Sequence, residues 1–140
     1  VSGSLPTEAM PDVEQVVAAI LKASLPAGTS VGTEWPANLA SKLAGGVVSV
    51  TLGGGGSRLK AVTADRTIDI DILGATKKQA FTLAADVSAR LIAAQGTAQP
   101  GARIYGVDET SLIWLPYQAS AETDTIPRYV LVMSMVVRPA

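Results

Sequence analysis

Arg128-Tyr129-Val130-Leu131-Val132-Met133-Ser134-Met135-Val136-Val137 is the stretch whose reading decides the fold. As a strand it places Tyr129, Leu131, Met133, Met135 and Val137 on one face, and Val130, Val132 and Val136 on the other, with only Ser134 as a polar interruption. A strand that is apolar on both faces must be covered on both. The chain has room for only two amphipathic helices, which suit one face of a sheet. The second face therefore points to a partner surface, and Val130, Val132 and Val136 are the candidate subunit-interface residues.

Upstream, residues 1–10 read as a loose arm and residues 11–140 as one domain. A helix is expected from Pro11-Asp12, with Asp12 as cap and Gln15 three positions on. Val13, Val16, Val17, Ile20 and Leu21 form its apolar stripe, and Pro26-Ala27-Gly28 ends it. Ser30 to Glu34 and Val47 to Leu52 read as strands, joined through a turn at Trp35-Pro36. Arg66 to Leu73 is the clearest strand: Ile68, Ile70 and Ile72 alternate with Thr67, Asp69 and Asp71. Thr76 to about Ala94 is a second helix, packing through Ala80, Leu83, Ala84, Val87 and Leu91. Ala102 to Glu109 and Arg128 to Val137 complete the strands. The expected class is α+β: a mixed, mainly antiparallel sheet of about five strands with both helices on one face, in the order helix, three strands, helix, two strands.

Composition narrows the functions available. The chain of 140 residues is 48% hydrophobic and only 16% charged, against about 25% charged in an average globular protein. A surface so poor in charge suits a subunit with large contacts. The net charge of -1 provides no bulk attraction to nucleic acid or to anionic membranes. Cysteine and histidine are both absent, which removes disulfides, thiolate chemistry and the commonest general base and metal ligand. No apolar run reaches the ~18 residues of a membrane helix, and VSGSLPTEAM has no signal-peptide pattern. A soluble protein made inside the cell, without cofactor or metal, is expected.

The remaining chemical motifs have bland explanations. Gly53-Gly54-Gly55-Gly56 invites a phosphate-loop reading, but Arg58 stands where the second required glycine belongs and no helix pattern follows. The run reads instead as a flexible loop to about Asp65, with Arg58, Leu59 and Lys60 as its contact side chains. Ser57 and Lys60 match an S-x-x-K spacing without the companion motifs that such enzymes need. Asp65, Asp69 and Asp71 are the one tight acidic group, a formal metal-dependent phosphoesterase candidate. Alternation accounts for Asp69 and Asp71 more simply, as the wet side of a half-buried strand. Asp108-Glu109 reads as a solvated rim. Trp35, Trp114 and Tyr117 lie beside prolines, in apparent connections, where aromatics either plug a core or anchor a subunit contact. Trp114 and Tyr117 join the interface candidates.

Four features together resemble the tail terminator (tail completion) proteins of long-tailed bacteriophages. They are the Pro11-Asp12-Val13-Glu14 helix start; Glu34-Trp35-Pro36 after a short strand; the glycine run ahead of Ile68-Asp69-Ile70-Asp71; and the ending Val107-Asp108-Glu109-Thr110, Trp114-Leu115-Pro116, Arg128-Tyr129 and Val137-Arg138-Pro139. The likeness runs from about Pro11 onward. It implies a structural virion protein with no catalytic site, assembled in the host cytoplasm into a hexameric ring. Such a ring caps the major tail tube protein, stops its polymerisation and meets the head's connector or stopper protein. DNA passes its channel without specific binding, and Asp69 and Asp71 are the candidates to face that channel. A head-tail stopper is the nearest alternative, and a small ligand-binding domain of ferredoxin-like type the alternative from another class.

Overall fold

The computed structural model describes residues 9–59, 62–118 and 125–139, with backbone only for 57–59. The elements in chain order are α1 (Val13–Ser24), β1 (Ser30–Gly32), α2 (Leu39–Lys42) running into a 3-10 turn (Leu43–Gly45), β2 (Val47–Leu59), β3 (Thr63–Leu73), α3 (Lys77–Ala93), β4 (Ala98–Gln99), β5 (Ala102–Trp114) and β6 (Arg128–Pro139). The fold is α+β. Its sheet has six strands in the order β1-β2-β3-β6-β5-β4, parallel only between β1 and β2. The expected order holds, with the one-turn α2 and the two-residue β4 added; neither is long enough to show a period.

Both long helices start where side-chain caps allow. Asp12 Oδ1 accepts from the Gln15 N–H at 3.4 Å, and Thr76 Oγ1 from the Gln79 N–H at 3.1 Å. Each cap satisfies an amide that the first helical turn leaves without a partner. From α1, Val13, Val16, Val17 and Leu21 enter the core. From α3, Ala80, Ala84, Val87 and Leu91 do so, and the two alanines let the helix axis approach the strands closely. They meet Val48 and Val50 of β2, Ile68, Ile70 and Ile72 of β3, Leu131, Met133, Met135 and Val137 of β6, and Ile104 and Val107 of β5. The middle of one face of the sheet is thus covered by the chain's own helices.

Two expectations need correction. The glycine run is strand rather than loop: β2 continues through Gly53–Gly56, with Gly54 opposite Thr67, Gly55 opposite Arg66 and Gly56 opposite Asp65. Ladder hydrogen bonds use the backbone alone, so β3 supplies a partner that a side-chain pattern cannot reveal. Gly55 has φ +121°, and a Cβ there would collide with the Asp65 carbonyl oxygen, so this rung admits only glycine. Of the expected contact side chains, Lys60 lies outside the described residues, and only the backbone of Arg58 and Leu59 is described.

The second correction concerns β5, which continues past Glu109 to Trp114. Bulges after Ile104 and after Glu109 each insert a residue, so core-side positions fall at Ile104, Val107, Glu109 and Leu112 instead of every second residue. The broken alternation made the strand look as if it stopped early.

Candidate functional site

The face of the sheet away from α1 and α3 carries most of the residues singled out in the sequence. Register places Val130 between Asp71 and Ile113, Val132 between Asp69 and Ser111, and Val136 between Asp65 and Gly106. The three valines are half-buried, whereas Leu131, Met133, Met135 and Val137 on the helix side are closed to solvent. Beside Val130, Ile113 is 52% exposed. An apolar stripe along β6 therefore runs next to a row of aspartates on β3, on the face that α1 and α3 leave uncovered.

One end of this face is closed by the chain itself. Val47, Ser49 and Leu73 share the face yet are buried, at the end where the connection from β1 to β2 crosses. Trp35 in that connection donates its indole N–H to Asp71 Oδ2 at 3.2 Å. Arg128 Nη1 stands 3.8 Å from Asp71 Oδ1, and the Arg128 Nε–H donates to the Leu115 carbonyl at 2.8 Å. The guanidinium carbon is 5.9 Å from the Trp35 ring centre and 5.6 Å from that of Tyr117, and these two rings meet edge to face at 4.7 Å. A bridge between Tyr117 and Ile126 brings the β5–β6 connection to the same clasp.

The five expected interface residues thus occupy three places. Val130, Val132 and Val136 share the open face. Tyr117 is held in the clasp, an intramolecular role. Trp114 is the last residue of β5 and pairs with Tyr129, on the helix side; its ring is 5.1 Å from Tyr129, with Lys77 Nζ 4.7 Å from its centre. Phe81, 48% exposed, meets Tyr129 from α3 at 5.6 Å. Asp69 and Asp71 also part company: Asp69 is exposed, while Asp71, expected to face water, is half-buried under Trp35 and Arg128. Among the described residues, no three carboxylates come together in a group that could hold a metal ion.

A groove of about 610 Å³ runs between the start of α3 and the segments around Pro26 and Gly45. Thr29, Thr76, Leu83 and Asp86 line it, with Gln79, whose side-chain amide donates to the Leu43 and Ala44 carbonyls at 3.1 and 2.8 Å. Asp86 pairs with Arg90 at 2.8 Å. No sequence pattern announced this groove, because its walls are distant in the chain. No described helix is long and apolar enough to cross a membrane. No protein-family model matches the chain, and no curated protein matches it in sequence.

Proposed function

We propose that this chain is a structural subunit of a phage neck, forming a ring that caps the tail tube, ends its polymerisation and joins it to the head connector. The observation that carries this reading is the half-buried stripe of Val130, Val132 and Val136, an apolar surface on the face away from α1 and α3. Two covered faces are the usual state of a strand apolar on both sides, and copies of one subunit in a closed ring supply the missing cover economically. The resemblance in the order of Pro11–Glu14, Glu34–Pro36, Ile68–Asp71 and the chain's ending supports the same reading. Asp69, exposed on the open face beside Val132, would then be repeated around the ring. If that face is instead left uncovered and lines the channel, the carboxylates form a band that repels DNA phosphates and keeps the duplex from adhering.

Solution mass and electron microscopy of the purified protein test this. Rings of identical subunits with an open channel are expected. A species that stays a single chain at every concentration, and that fails to cap tubes when mixed with them, overturns it.

A further inference from the structure

Among the described residues, the sheet ends in two edges that are open over most of their length. β1 pairs with β2 only at Val47, Val48 and Ser49, so among the described residues no strand lies outside Val50–Leu59. β4 pairs with β5 only at Ala102 and Arg103, and Ile104 is bonded on that side by Gly96 and Thr97. From Gly106 to Trp114, no described strand lies outside β5. The two short capping strands stand at opposite ends of the sheet. Followed across the ladders, Val50 is level with Ile70, Leu131 and Leu112, and Gly56 is level with Asp65, Val136 and Gly106. Both edges are open over the same band.

Three further features suit these edges to each other. β2 and β5 run in opposite directions, since each step from β2 through β3 and β6 to β5 is antiparallel. Unbulged segments also stand at the same level: Gly54–Gly56 between the two bulges of β2, and Gly106–Asp108 between those of β5. At that level Gly56 and Gly106 present bare backbone on the open face. A Cβ on Gly56 would meet nothing within 4 Å, and one on Gly106 only the Val136 side chain at 3.6 Å. Neither glycine is required by the chain's own packing, and glycine inside a strand marks places where another backbone comes close. Lastly, each edge already gives an amide to a side chain. The Leu52 N–H donates to Glu14 Oε2 at 2.7 Å and the Val107 N–H to Gln95 Oε1 at 3.0 Å. Backbone donors need acceptors, and on an edge without a strand a side chain serves.

We infer that β2 of one copy pairs with β5 of the next as antiparallel strands, head to tail, with the neighbour's carbonyls replacing Glu14 and Gln95 at these amides. Rotation about an axis along the strands preserves strand direction, so in a ring of three or more copies it brings the β2 edge of one copy to the β5 edge of the next, antiparallel. Repetition around such an axis closes a ring and leaves no edge exposed. The inference rests on the ring reading and adds an edge contact between neighbours to the contact made by the open face.

The chain has no cysteine, so introduced pairs report contacts without background. Thr51 and Ser111 are level across the sheet and both lie on its open face. Within one chain they are three strand spacings apart, about 14 Å, beyond disulfide reach. Thr51→Cys with Ser111→Cys, and Thr51→Cys with Asp108→Cys for a neighbouring register, are oxidised in the assembled protein and run on denaturing gels. At least one double variant is expected to give a ladder up to the full ring number, while each single variant stays at one-chain mass. Rings of normal mass that neither pair cross-links overturn the edge contact and leave the ring reading standing. Single variants that link into dimers overturn it in favour of two-fold edge pairing. Protein that remains monomeric removes the ring reading and this inference with it.

Discussion

The indole nitrogen of Trp35 and the carboxylate of Asp71, 36 positions apart in the chain, are joined by a 3.2 Å hydrogen bond. This bond ties the β1–β2 connection to the middle of the sheet and gives Asp71 a structural task that its neighbour Asp69 lacks. Asp71→Ala should leave the Trp35 N–H without its partner and Arg128 without its carboxylate. A loss of about 1–2 kcal/mol is expected, the cost of stranding a partly buried donor. Asp69→Ala should change stability by no more than about 0.5 kcal/mol, as exposed sites usually do. Urea titration followed by tryptophan fluorescence separates the two. Equal effects would mean that the clasp does not hold this end of the sheet.

Neighbouring positions on β6 should respond in opposite ways. Leu131→Asp puts a charge in the closed core and should prevent folding. Val132→Asp points to the open face, where the chain should still fold but fail to assemble. Some stability should also be lost, because the new carboxylate lies directly beside Asp69. Circular dichroism and solution mass read the two outcomes. Normal assembly by Val132→Asp would place the subunit contact elsewhere.

Within the glycine run, substitutions should sort by backbone and space. Gly55→Ala faces a φ of +121° and the Asp65 carbonyl, and should destabilise by more than about 1 kcal/mol. Gly56→Ala meets open space and should be neutral, or stabilising by about 0.4–1 kcal/mol through a less flexible unfolded chain. Thermal melts of the two variants decide whether the run is paired strand, as the ladder with β3 requires. Indistinguishable melts would contradict that pairing.

If the open face lines a channel, Asp69→Asn should leave particles intact but slow DNA release. The effect should be largest at low salt and fade as ions screen the acidic band. Release at the normal rate at every ionic strength would put Asp69 on an outer, solvated surface. Asp71 is unsuited to this experiment, because its removal also loosens the clasp.

The sequence by itself was enough for what depends on neighbours along the chain. Asp12 and Thr76 sit where helices begin, the stripes of α1 and α3 have the helical period, and Ile68, Ile70 and Ile72 alternate strictly enough to orient β3. These features yielded an α+β protein with one helix-covered face, and a second face on β6 in need of cover. Only the tertiary structure decided what depends on partners far away in the chain. It turned Gly53–Gly56 from loop into strand, because ladder bonds are made by backbone and leave no mark in side-chain pattern. Bulges in β5 concealed its length for the related reason that an inserted residue resets the alternation. Asp69 and Asp71 have the same sequence environment, yet one faces solvent and the other serves Trp35 and Arg128. That difference arises from where a connection crosses the sheet, which local propensity does not encode.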